Sequence, residues 1–148
     1  MLSFAISQPN LQPIQMLTDE ELKGRKPLWT AFAYLWLDTE IESYDIQRIA
    51  EAATDSGYSI AELNKIYLYE VAPVVYANLL NPAGAWAGFD ETWLHAEARK
   101  RAESRGLWLR FWVWTGVARK IMTYATEEHW NKIIALMQAE AKKIRNLD

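Results

Sequence analysis

Apolar side chains recur every three to four residues along most of this chain, and only one stretch alternates with the two-residue period of a strand. Ile46, Ile49, Ala50 and Ala53 fall on one helical stripe. Ile60, Leu63, Ile66, Tyr67, Val71 and Val74 fall on a second, and Trp130, Ile133, Ile134, Met137, Ala141 and Ile144 on a third. Stripes of this kind shield one another only inside packed helices. Leu107, Leu109, Phe111 and Val113 alternate, but the chain has no comparable run to pair with a lone strand. Leu107, Phe111, Trp114, Ala118, Ile121 and Met122 also share a helix face, so residues 107–114 are expected to be helical, with Gly116 a weak point. The expected fold class is all-α, a compact bundle of about six helices.

Punctuation along the chain sets the boundaries. Residues 1–17 carry Pro9, Asn10 and Pro13 without sustained periodicity and read as an extended N-terminal arm leading into a single helical domain, residues 18–148. Thr18 and Glu21 have capping-box spacing. Gly24 and Pro27 predict a break near Gly24, with helix resuming from Pro27 to Leu37; this piece is apolar nearly all round, as a central helix must be. A helix over 44–55 should end at Gly57, in a left-handed cap. Ser59 and Glu62 form a second capping box, and Pro73 should kink or restart the helix that follows, which ends before Asn81-Pro82. Residues 81–90 read as an ordered loop. Asp90 caps a helix to Ser104, stopped by Gly106, and Thr126 caps the last helix, with Glu127 and Glu128 in its first turn. The expected core is Trp29, Phe32, Trp36, Ile49, Leu63, Ile66, Trp130, Ile133 and Met137.

Several chemistries are excluded at the outset. With no cysteine among 148 residues, disulfides, thiolate metal sites and a cysteine nucleophile are impossible. Glycine-rich phosphate loops and the G-x-S-x-G elbow are absent. His95-Ala96-Glu97 matches half of a zinc deaminase signature whose other half needs cysteines, so His95 and His129, the two histidines, are taken as structural or surface groups. No catalytic residue, metal or cofactor is expected. No stretch reaches the ~18 apolar residues of a spanning helix, and no secretory pattern precedes Lys23, so cytoplasmic residence is the expectation.

Charge supplies the candidate surfaces. Residues 1–74 hold 5 basic and 11 acidic side chains, residues 75–148 hold 11 and 8. Asp38, Glu40, Glu42 and Asp45 place four carboxylates within eight residues, a segment suited to a basic protein partner or a divalent cation. Trp86 and Phe89, large aromatics in a glycine-bearing loop, suit partner anchors. Between Arg99 and Lys120, seven basic residues are interleaved with Trp108, Phe111, Trp112 and Trp114, which is the pattern of a nucleic-acid surface. A carboxylate-metal enzyme centred on Asp38, Glu40 and Glu70 is a further alternative.

From Lys26-Pro27-Leu28-Trp29 to Trp93-Leu94 the chain resembles a bacterial family of small proteins carried as a domain of unknown function. The resemblance is carried by Leu35-Trp36-Leu37-Asp38-Thr39-Glu40, Glu70-Val71 with Pro73, Asn78-Leu79-Leu80 and Gly84-Ala85-Trp86-Ala87-Gly88-Phe89. Small bacterial helical proteins of this kind often look like neutralising partners of secreted toxins. The resemblance therefore implies a non-catalytic protein-binding domain, an immunity-type inhibitor occluding a basic toxin site; the charge layout and the loop aromatics make Asp38, Glu40, Glu42, Asp45, Trp86 and Phe89 its expected partner-binding residues. Nucleic-acid binding through residues 99–120 is the alternative.

Overall fold

The computed structural model describes residues 15–37, 40–80, 90–104 and 116–147, and every regular element among them is helical. The elements are α1 (Asp19–Leu37), α2 (Ser43–Asp55), α3 (Ile60–Lys65), a π-helical segment (Ile66–Val71), α4 (Ala72–Leu79), α5 (Glu91–Ser104), α6 (Val117–Thr123) and α7 (Glu127–Arg145). With the consecutive pieces over 60–79 taken as one rod, the described residues hold six helices in an all-α bundle. The helix expected over 107–114 and the loop expected over 81–89 lie outside the described residues, as do residues 1–14 of the arm. No described helix is long and apolar enough to cross a membrane.

The capping box at Thr18 forms as its spacing dictates: the Thr18 N–H donates to Glu21 Oε2 at 2.9 Å and the Glu21 N–H to Thr18 Oγ1 at 3.2 Å. The break expected at Gly24 does not occur, and α1 runs unbroken through Gly24 and Pro27. Pro27 lies on the exposed side of the rod, where the Lys23 carbonyl that loses its amide partner can be hydrated. On the opposite side Leu28, Trp29, Phe32 and Leu35 are buried. Each large side chain removed from water contributes about 1.5–3 kcal/mol, so four of them outweigh the ~3 kcal/mol cost of an interior proline. The Tyr58 ring lies against α1 at Gly24, where a Cβ would make only an ordinary contact, 3.5 Å from the hydroxyl.

Helix α1 is central, touching α2, α4, α5 and the π segment, while α2 packs along α7. The π segment holds Ile66, Tyr67, Glu70 and Val71 all buried, and Pro73 then sits in the first turn of α4, where no N–H is required. Pro73 thus marks a restart. Gly57 adopts the left-handed conformation expected of it, with φ of 73°. Asp90 caps α5 through Oδ1, which accepts the Thr92 N–H at 2.8 Å. Ser59 caps α3 by accepting the Glu62 N–H at 3.2 Å, but the Glu62 carboxylate pairs with Lys65 and leaves the box half built.

Aromatic packing closes the core. Trp130 stacks on Tyr67 with ring centres 4.1 Å apart and meets Phe32 edge-on at 4.9 Å. Its indole N–H donates to Asn64 Oδ1 at 2.8 Å. Seven of the nine expected core residues are buried; Trp36 and Met137 are only partly so. Trp36 lies near the end of α1, where its indole N–H donates to the Met122 carbonyl at 2.9 Å. Thr126 stands at the start of α7 but does not cap it: its buried hydroxyl is committed to the Tyr67 hydroxyl and the Thr123 carbonyl. The stripe expected along α7 also ends early, with Trp130 and Ile133 buried but Ala141 and Ile144 exposed.

Candidate functional site

The acidic segment leads into the start of α2. Ile41 packs against the core, which turns its neighbours Glu40 and Glu42 outward. Asp45 is engaged differently, because its Oδ2 accepts the Glu42 N–H at 3.1 Å, closing the first turn of α2, and its side chain is mostly covered. Glu42 is the N-cap residue and its side chain accepts the Asp45 N–H in return, so the two form a reciprocal capping box while Glu40 is exposed beside them; Asp38 lies outside the described residues, as do Trp86 and Phe89. Between Glu42 and Asp45 stands a residue absent from the sequence-level candidates. Tyr44 is 74% exposed, an aromatic ring held in water among acids. The signal was present, because Tyr44 falls off the Ile46–Ile49–Ala50–Ala53 stripe and must point away from the core.

Beside this end of α2 runs a groove of about 450 Å³ lined by Ile41, Ser43, Ile46, His129, Lys132 and Leu136. Its walls join apolar surface from α2 and α7, and His129 Nδ1 lies buried there with no hydrogen-bond partner among the described residues. The start of α2 therefore offers exposed carboxylates, an exposed aromatic and an adjoining apolar cleft.

Glu70, grouped in the sequence with Asp38 and Glu40 as a carboxylate-metal alternative, is engaged within the core. Its carboxylate is buried, paired with the Arg25 guanidinium and accepting the Trp29 indole N–H at 2.7 Å. Among the described residues no three histidine or carboxylate groups stand close enough to hold a metal ion. The basic segment is also partly neutralised. Arg99 pairs with Glu103 at 2.9 Å and Lys100 with Glu97 at 2.6 Å, both along α5, whereas Trp108, Phe111, Trp112 and Trp114 fall outside the described residues.

A second concavity, of about 740 Å³, lies between α1, α2 and the start of α5. His95, set aside in the sequence as a motif fragment, is on its wall. The His95 Nε2 atom is 2.8 Å from Thr30 Oγ1, and the Thr30 hydroxyl also reaches Glu91 Oε1 at 2.9 Å. The Trp29 ring centre is 6.0 Å from that of His95. Burial lowers the His95 pKa from its ordinary value; Glu91 opposes the shift, the Lys26 charge reinforces it, and a backbone hydrogen bond with Lys26 opposes it. Within this cluster the Thr30 hydroxyl is therefore shared between the imidazole and the Glu91 carboxylate, and the ring is also held by the backbone hydrogen bond to Lys26. No sequence spacing announces it, since Thr30 and His95 are 65 positions apart.

Residues 23–136 match the family model described as a domain of unknown function (DUF7079). No curated protein and no solved structure matches the chain.

Proposed function

We propose that this chain, which belongs to the DUF7079 family, is a non-catalytic protein-binding domain whose working surface is the start of α2. The supporting observation is the 74% exposure of Tyr44 beside the outward carboxylates of Glu40 and Glu42. An aromatic ring adds little to the fold when left in water. Against a partner it supplies the large, rigid contact typical of binding hot spots. The acids around it steer a basic surface into register, and the groove of Ile41, Ile46 and Leu136 accepts an apolar side chain beside them.

The specific form of this reading is an immunity-type inhibitor, acting in the cytoplasm of a bacterium, that occludes the basic active site of a toxin. Asp38, Trp86 and Phe89, outside the described residues, are further partner-contact candidates on the sequence reading alone. The test is affinity capture from the native host with the wild-type chain and with a Glu40→Lys/Glu42→Lys/Tyr44→Ala variant of unchanged circular dichroism. A stoichiometric basic partner retained by the wild type and lost by the variant is expected. Equal retention by both rejects the surface.

A further inference from the structure

We propose that the groove between α1, α2 and α5 is a binding site for a small amphipathic anion, in its simplest form an unbranched aliphatic carboxylate. Its volume of about 740 Å³ falls within the range of small-molecule sites. The space exists because the residues that would close it are short: Ala31 of α1 and Ala52 of α2 both line it and cannot bridge the gap between the rods. Leu22 and Ile49 give it an apolar floor.

The rim selects the sign of the ligand. Lys23, Lys26 and Arg48 line the groove with Asp19 and Glu91; Arg48 is drawn toward Asp45, at 3.9 Å, and lies over the Tyr34 ring, which leaves Lys23 and Lys26 as the cations for a ligand. The Glu91 carboxylate already takes the Thr30 hydroxyl, at 2.9 Å. Lys23 and Lys26 lie one helical turn apart on α1, exposed, and neither is ion-paired among the described residues. A carboxylate held by the two ammonium groups leaves its chain lying over the floor toward Ile49, where each buried methylene adds to affinity.

The proposal is tested by isothermal titration calorimetry of the full chain with decanoate, decylammonium and inorganic phosphate. Saturable one-to-one binding of decanoate is expected, at least tenfold tighter than either of the others. A Lys23→Glu/Lys26→Glu variant should weaken decanoate at least tenfold while keeping the wild-type circular dichroism, since both side chains are exposed. Absence of saturable decanoate binding overturns the proposal. So does decylammonium binding as tightly, which removes the role of the rim, or phosphate binding as tightly, which removes the role of the floor. Undiminished decanoate affinity in the double variant places the ligand on other apolar surface and overturns it equally. As a second variant, Ala31→Leu narrows the trough without touching its charge, and unchanged affinity there is a further contrary result.

Discussion

Arg25 and Glu70, 45 positions apart, form an ion pair inside the bundle, and the Trp29 indole N–H takes the second carboxylate oxygen of Glu70 at 2.7 Å. Each ionic side chain is only 9% exposed. Arg25 also lies over the Tyr58 ring at 5.7 Å, while its Nε is buried without a partner among the described residues. The attraction in such a pair is largely offset by the loss of hydration, so what is costly is to break it one-sidedly.

Arg25→Met should therefore destabilise the fold by about 3–5 kcal/mol, because it strands a buried carboxylate. Adding Glu70→Gln removes that charge while keeping an oxygen to accept from Trp29, and most of the loss should return. Urea denaturation of the single and double variants checks this. A double variant no more stable than Arg25→Met would show that the pair contributes more than charge compensation.

The pair also marks where sequence reasoning stopped. Helix positions, the left-handed Gly57 and the Asp90 cap were legible because each depends on residues within one turn of one another. Most of the core was legible for the same reason, as helical periodicity sorts inside from outside. Glu70 was not: helical spacing already puts it on the Ile66–Tyr67–Val71 face, but the Arg25 that makes a buried carboxylate tolerable lies on another rod. Local propensity at Gly24 and Pro27 predicts a break, whereas burial of Leu28, Trp29, Phe32 and Leu35 against other helices keeps α1 continuous. Trp36 and Thr126 show the same limit, since their hydrogen bonds are made across the bundle. The groove containing His95 is built from three helices and has no local signature at all.

Tyr67 gives the fold an alkaline limit. Burial pushes its pKa up to about 12, with the hydrogen bond to Thr126 partly opposing the shift. Between its ordinary value of 10 and 12 the unfolded chain has released this proton and the folded chain has not. Stability must then fall as pH rises through that window, by roughly 2 kcal/mol at its upper end. Tyr67→Phe keeps the stacking on Trp130 and should lessen this slope. An unaltered dependence of the urea midpoint on pH between ~9.5 and ~12 would assign the alkaline loss to other groups.

His95 acts at the acid side, and in the opposite sense. Its folded pKa lies below the ordinary 6.5, so as pH drops through 6.5 the unfolded chain takes up a proton that the folded chain resists. Stability contributed by the neutral ring is complete above that value and declines below it. Glu21, Glu103 and Glu128, whose pKa values hydrogen bonds lower, lose their contributions only below the carboxylate value of 4.5. The difference between wild type and His95→Gln from about pH 7 to about pH 5 therefore isolates the imidazole. The wild type should lose stability more steeply on acidification, and parallel denaturation midpoints would contradict the assignment.

The carboxylates at the start of α2 should separate into two roles. Asp45 holds the Glu42 N–H and lies within the first turn of a 13-residue helix, so Asp45→Ala removes a cap and should cost about 1 kcal/mol. Glu40→Gln alters an exposed side chain, and Glu42→Gln keeps a side-chain oxygen to accept the Asp45 N–H, so each should change stability by no more than about 0.5 kcal/mol. Partner affinity should follow the reverse order. In a low-salt association assay with the captured partner, the Glu40→Gln/Glu42→Gln variant should slow association several-fold, because outward charges act on encounter, and the effect should shrink as salt screens them. Asp45→Ala should leave the association rate near that of the wild type wherever the helix remains folded. A partner indifferent to Glu40 and Glu42 but sensitive to Asp45 would mean that it reads the shape of the capped turn, not the charge projecting from it.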